Sequence, residues 1–444
     1  IANPGCHPFT HTDRHLDPHG YSFPHAERHP ISRADGDPNP RGRPVGSPAG
    51  RFLRRAGGTP KSEVKMTETI AVDAGRQKQA KEYARLRRRL WLAGMLLGAL
   101  YALVWLVSGA SRALAAGLTG LLPDSWLVVA AFGLVLGGAY FLLRLPLGYY
   151  AGFVLPHRFG LSNQTFRGWL ADQGRGLLIG LPIGLALLEG LYALLRAFPD
   201  TWWLWAALGM FVFNVLAANL SPILIMPLFN KFTPLGREHA DLERRLLDLA
   251  ARARTRVRGV FKFDMSRRTK AANAALTGLG HTRRIVVGDT LLSEFTPDEV
   301  ETVLAHELGH HVHRDLLWLI LVEGLWTFLG LFLASRVMAL GRPWFGIPVE
   351  SVASLPLFLL VVGAYNLIRM PLTNAFSRWR ERLADSYALE MTGKKAAFAS
   401  ALIRLANQNL GEVDPEAWVV WLFYDHPPLG ERIAMARNWP VERA

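Results

Sequence analysis

The chain has 444 residues, half of them apolar and only 19% charged, below the quarter usual for a soluble globular protein. Its formal net charge of +14 does not signal nucleic acid: the Lys and Arg residues cluster beside apolar segments, as in KEYARLRRR from Lys81 to Arg89, where membrane topology requires them. Cys6 is the single cysteine, so disulfides are excluded and any metal site must be built from His and carboxylates.

Residues 1–65 are rich in Pro, Gly, Arg and His, lack hydrophobic periodicity and cannot bury a core. Met66 opens MTETIAVDAGRQKQAKEYARLRRRLW like a natural start, so 1–65 is expected to be a disordered or wrongly assigned N-terminal extension. Residues 66–229 hold four apolar stretches, near 90–107, 126–143, 176–195 and 202–229. Each has about the 20 residues that cross a hydrocarbon core of about 30 Å. Pro222 and Pro227 are the expected break points in the fourth.

Residues 230–444 form the second division. It begins with a soluble insert: an amphipathic helix in ADLERRLLDLAARA, then strands in GVFKFDM and RRIVVGD. Two more spans are expected near 316–340 and 355–370. Under strict alternation the basic loops ARLRRR, HRFGLSNQTFRGW, NKFTPLGREH and SRWRER fall on one side, which makes that side cytoplasmic. Both termini and the histidine-rich stretch VLAHELGHHVHRD, from Val303 to Asp315, then face the cytoplasm. Inside the spans, Glu189, Glu323, Asn366 and Arg369 are too costly to face lipid and must meet other helices or water.

The histidine-rich helix has a marked start: Thr296 as N-cap, Pro297 at the first helical position and Glu299 closing a capping box. On that helix His306 and His310 lie one turn apart and can grip one ion, with Glu307 beside them to meet metal-bound water. This is the zincin pattern. A catalytic zinc needs a third protein ligand, and three residues compete for the role. His313 is on nearly the same face but cannot easily aim at the same ion. Glu381 and Asp385, in RERLAD, are one turn apart on another helix, so one can ligate while the other supports a histidine through its second ring nitrogen.

HELGH, SRWRERLAD and HPPLGER, with HRFGLSNQT and PLFNKFTPL upstream, together resemble the type 1 CAAX prenyl endopeptidase family, integral-membrane zinc proteases. The likeness runs from about residue 80 to the end. It implies a mainly α fold, a multispanning transmembrane helical bundle enclosing a chamber with a cytoplasmic zincin-type protease domain. It also implies one Zn²⁺ per chain on His306, His310 and Glu381, Glu307 as general base, and Asp385 as the acid behind a ligand. His426 and Arg432 match positions lining the active site, His426 as the oxyanion donor, and Asn273 matches a contact to the substrate backbone. The implied reaction is peptide hydrolysis by zinc-activated water, removing the C-terminal tripeptide of prenylated proteins. The implied partners are a peptide or protein lipidated at a C-terminal cysteine and the bilayer. The eukaryotic members' extra N-terminal span and long insert before the motif are missing, and His311 stands where they often carry an aromatic. A compact prokaryotic member in the cell membrane is therefore expected.

Three other readings compete. A quality-control membrane metalloprotease shares the zinc pattern, but HRFGLSNQT and HPPLGER favour the CAAX type. A site-2 protease would carry its motif within a span, whereas a soluble insert precedes this one. A transporter or zinc-binding scaffold would need neither Glu307 nor Asp385.

Overall fold

The computed structural model describes residues 71–278 and 282–440, so the expected extension at 1–65 lies outside the described residues. Helix α1 (Ala74–Val107) starts where Asp73 accepts a hydrogen bond from the Arg76 amide, and the short α2 (Ala110–Leu121) follows. Helix α3 (Ser125–Tyr149) passes through a π-helical turn at Tyr150–Val154 into α4 (Leu155–Arg158). Pro156 offers no amide to the α-ladder there, and the wider turn absorbs that loss. Helix α5 (Phe166–Ala197) is capped by Thr165, and α6 (Trp202–Leu224) runs through Pro222 before breaking at Ile225. The expected break therefore precedes Pro227, which sits in the first turn of α7 (Met226–Phe229), where a missing amide costs nothing.

Six helical segments are long and apolar enough to cross a membrane: Ala74–Val107, Ser125–Arg158, Phe166–Ala197, Trp202–Phe229, Asp315–Phe345 and Val352–Thr392. Each contains one of the six stretches expected from the sequence. Only 0% to 28% of the most apolar window of each is buried within the protein, so most of that surface needs an apolar solvent. At one end of the bundle Val129, Phe132, Leu136, Tyr192, Leu195, Trp202, Met338 and Val352 form a core. The Tyr192 hydroxyl meets Ser354 Oγ there at 3.2 Å.

The polar residues inside the spans separate into two cases. Arg369 donates from Nη1 to both Glu323 oxygens at 3.0 and 2.8 Å and from Nε to Asn366 Oδ1 at 2.9 Å, pairing the fifth and sixth spans. Glu189 has a buried Oε1 with no hydrogen bond among the described residues. Arg369 and Asn366 border a cavity of about 590 Å³ whose other walls are mainly apolar residues of four spans.

The insert folds beside the bundle. Strand β1 (Phe232–Pro234) precedes α8 (Ala240–Arg252), which buries Leu242, Leu246 and Leu249. Strands β2 (Val260–Phe263), β3 (Ala274–Thr277) and β4 (Arg284–Gly288) complete a sheet of order β1-β2-β4-β3. Strand β2 is parallel to β4 and the outer pairs are antiparallel, so β3 is an edge strand. The expected strands in GVFKFDM and RRIVVGD are β2 and β4. Arg284 lies over the Phe232 ring at 4.5 Å and donates to the Pro222 carbonyl at 3.3 Å, fastening the sheet to the end of the fourth span.

After α9 (Asp289–Glu294) comes α10 (Pro297–Val312), which carries the HELGH motif. Its capping box is present: Thr296 Oγ1 accepts from the Glu299 amide at 3.3 Å, and Glu299 Oε2 accepts from the Thr296 amide at 2.8 Å. Thr296→Ala is expected to cost about 1 kcal/mol. It should be read as a lower unfolding midpoint in detergent, and an unchanged midpoint would remove the cap from the account. Helix α11 (Asp315–Phe345) follows, ended by Gly346 in the left-handed region. Then come α12 (Leu355–Thr392), α13 (Lys395–Asn409), α14 (Ala417–Phe423) and α15 (Leu429–Arg437). Leu246, Ile285, Leu304, Leu308, Leu389, Leu402 and Ile433 join these parts in one core. Lys394 bridges Asp298 at 2.9 Å and Glu301 at 2.7 Å, and Arg245 of α8 grips the same two acids.

Candidate metal centre

Helical periodicity puts His306 and His310 on one face of α10, with their Nε2 atoms 3.1 Å apart. Helix α12 packs across that face and brings in Glu381. Its Oε1 lies 3.3 Å from His310 Nε2 and its Oε2 lies 3.4 Å from His306 Nε2. The approach depends on Gly309, where a Cβ would stand 3.0 Å from the Ala384 Cα and 3.1 Å from its carbonyl oxygen.

Among the described residues, His306, His310 and Glu381 form the group able to hold a metal. Glu381 is 6% exposed, and its Oε2 is buried without a hydrogen bond. A buried carboxylate oxygen left that way is costly unless a cation satisfies it. Two imidazole nitrogens and one carboxylate fit zinc with a position left open. His313 stays outside this group. It is the C-cap of α10, its ring packs edge-on against Tyr387 at 5.8 Å, and its Nδ1 has no hydrogen bond.

Both histidines are held from behind. Asp385 Oδ1 is 2.8 Å from His306 Nδ1, and Asp315 Oδ2 is 2.7 Å from His310 Nδ1. A carboxylate can only accept, so each Nδ1 gives its proton to the acid behind it and each Nε2 faces the centre. Burial disfavours a charge on His310, but hydrogen bonds to Asp315 and Glu381 outweigh it and raise the imidazole to about 10. An incoming metal must therefore displace that proton.

His426 arrives from the loop after α14. Its Nε2 is 3.1 Å from Glu381 Oε1, and its Nδ1 is 2.8 Å from Asp425 Oδ1. Burial again opposes the charge, and the hydrogen bonds to Asp425 and Glu381 overcome it, raising His426 above its ordinary value. Helix α12 fixes this loop: Arg378 donates to the Val420 and Tyr424 carbonyls at 3.0 and 2.5 Å, and Asn374 to that of Leu422 at 2.7 Å.

Arg432, on α15, is 2% exposed. It spends its fork on Asp385, Nε to Oδ2 at 2.8 Å and Nη2 to Oδ1 at 2.6 Å. It therefore stands behind the centre rather than at an open wall. Glu307 is half-buried next to His306 and outside the convergent group. Asn273 precedes edge strand β3, which packs along α10, and its carbonyl accepts from the Gly288 amide at 2.9 Å.

Asp315, Arg378 and Arg380 were not singled out by sequence. All three lie in or beside quoted motifs, but Asp315 is five residues past His310 and would point elsewhere on a continuous helix. Arg314 breaks the helix with φ 55°, in the left-handed region, and the chain turns Asp315 back onto His310.

Two family models divide the chain. One described as "CAAX prenyl protease N-terminal, five membrane helices" matches residues 62–231, where the described residues form four helices of spanning length and the shorter α2. "Peptidase family M48" matches residues 236–440. An uncharacterized metalloprotease of Bacillus subtilis, YhfN, is 32% identical over 364 residues, covering 81% of this chain and 85% of that protein. CAAX prenyl protease 1 of Saccharomyces cerevisiae is 33% identical over 311 residues, covering 66% of this chain and 68% of that protein. The crystal structure of S. mikatae Ste24p superposes with a TM-score of 0.74 at 27% identity, over 83% of this chain and 90% of that one. With the His-His-Glu centre supplied by the half that matches the peptidase, and the membrane helices by the other, the chain belongs to peptidase family M48 and is a membrane-embedded metalloprotease of the CAAX prenyl protease type.

Proposed function

We propose that the chain binds one Zn²⁺ through His306 Nε2, His310 Nε2 and the Glu381 carboxylate, and cuts peptides carrying an isoprenoid on a C-terminal cysteine, releasing the residues after it. The observation that carries this reading is the buried Glu381 carboxylate, its hydrogen-bond-free Oε2 facing His306 Nε2 and its Oε1 facing His310 Nε2. When bound, zinc supplies Lewis acidity to water and to the scissile carbonyl. Glu307 takes a proton from the attacking water and returns it to the leaving amine. His426, oriented by Asp425 through its Nδ1, presents Nε2 to the oxygen on which charge develops. Asp385 orients His306, and Arg432 neutralises Asp385. The outer edge of β3 offers backbone groups to an extended peptide, and Asn273 at its start steadies that strand of substrate.

The division at about residue 230 is supported by the two family matches, which end and begin at residues 231 and 236. A cytoplasmic centre and termini are supported by the basic loops ARLRRR, HRFGLSNQTFRGW, NKFTPLGREH and SRWRER, and a prokaryotic cell membrane by the likeness to a Bacillus subtilis protein. The prenylated substrate is supported by the likeness to a CAAX prenyl protease and by the apolar cavity between spans on the same helix as Glu381.

The test follows two peptides by mass spectrometry, identical except for a farnesyl group on cysteine, with zinc-loaded protein in detergent. Cleavage of the farnesylated peptide alone, directly after the cysteine, is expected. Equal cleavage of both at scattered bonds would replace this reading by a quality-control protease of broad specificity.

A further inference from the structure

The two histidines are supported by the same arrangement built twice from unrelated stretches of chain. Behind His306 stand Asp385 and then Arg432; behind His310 stand Asp315 and then Arg380. Arg380 Nε donates to Asp315 Oδ1 at 2.6 Å, its Nη2 donates to the same oxygen, and Nη2 also donates to the His313 carbonyl at 2.8 Å. Asp315 therefore gives one oxygen to His310 and the other to Arg380. Asp315 is 3% and Arg380 8% exposed. A buried carboxylate of this kind is tolerable only with both partners in place.

We propose that Asp315 is a positioning residue for the metal ligand His310, and that Arg380 holds Asp315 for that task; this rests on the metalloprotease reading above. The chain of contacts crosses three helices, with His310 on α10, Asp315 opening α11 and Arg380 on α12. Arg380 is also the residue before the ligand Glu381 on α12. Asp315 fixes the Nδ1–H tautomer and ring plane of His310 and raises the basicity of its Nε2. The bland alternative is that an acid in the first turn of α11 only complements the helix dipole. That role would stabilise the fold without acting on the metal.

The experiment measures zinc affinity by chelator competition on the full chain in detergent, together with the visible absorption of the Co²⁺-substituted protein. Thermal unfolding is recorded with and without zinc. Asp315→Asn is expected to bind zinc about 10- to 100-fold more weakly, with an altered Co²⁺ spectrum. The midpoint gain on adding zinc should shrink, since that gain follows affinity. Asp315→Glu, which restores a carboxylate, is expected to recover part of the affinity. If Asp315→Asn lowers both midpoints together while zinc affinity and the Co²⁺ spectrum match the parent, the inference is overturned. Should Asp315→Asn not fold, Arg380→Lys replaces it: the charge stays but the fork that reaches Asp315 and the His313 carbonyl is lost. Several-fold weaker zinc binding is then expected, and parent-like affinity would overturn the inference. A parent protein that binds no zinc, or whose zinc survives Glu381→Ala, would instead bring down the metalloprotease reading and this inference with it.

Discussion

Glu307→Gln is expected to lower peptide hydrolysis by about two to four orders of magnitude, the range for loss of a general base, while zinc stays at one per chain. Glutamine fills the same space and can still hydrogen bond to water, but it cannot take its proton. The three convergent groups are His306, His310 and Glu381, so the substitution leaves the donor set whole. Glu307 is only half-buried on α10, so loss of its charge does not empty a core position. Metal content by plasma mass spectrometry and turnover of the farnesylated peptide make the two readouts. Cleavage by Glu307→Gln at the parent rate would refute the assignment of the base. Loss of zinc along with activity would move Glu307 into the metal's coordination.

The second large effect is expected at a residue with no side chain. Gly309→Val should weaken zinc binding by more than about tenfold and destabilise the fold by about 1–3 kcal/mol, the usual cost of overpacking. A Cβ on residue 309 would stand 3.0 Å from the Ala384 Cα, a backbone atom that cannot rotate away. Helices α10 and α12 must then separate. His310 lies one residue beyond Gly309, and Glu381 one turn before Ala384, so separation opens the gap between the nitrogen and oxygen donors. Gly309→Ala should show a smaller change in the same direction. If Gly309→Val bound zinc as the parent does, the close approach of the helices would not be what sets the donor spacing.

The six spans were legible because a helix crossing hydrocarbon needs a long apolar run, and little else in a sequence looks like one. The start of α10 was legible for a comparable reason: Thr296, Pro297 and Glu299 each satisfy a separate demand of a helix terminus. Strands β1 and β3 were not. They cover Phe232–Pro234, which includes a proline, and Ala274–Thr277, mostly alanine and leucine, neither a strand signature, and they pair with the edges that β2 and β4 offer. His306 and His310 followed from helical period alone. The choice among His313, Glu381 and Asp385 did not, since period cannot say which distant helix crosses α10, and resemblance supplied the preference. Arg432 was expected to line the active site, yet a buried Asp385 needed a cation and Arg432 provides it. Asp315 was hidden by the left-handed Arg314, a conformation no residue-level preference announces for arginine.

Helix α12 runs unbroken from Leu355 to Thr392, from the membrane end of the bundle to the residues beside the metal. A helix lengthens by 1.5 Å per residue, so the eleven or so positions between Met370 and Glu381 set the ligand about 16 Å past the expected end of the span. Pro371, at the head of that stretch, withdraws one amide from the ladder, and the helix runs on past it to the ligand. For the lipid-anchored substrate proposed above, such a helix would act as a ruler, favouring scissile bonds that lie within a set length of the anchor. Selection of that kind would need no recognition of side chains along the substrate.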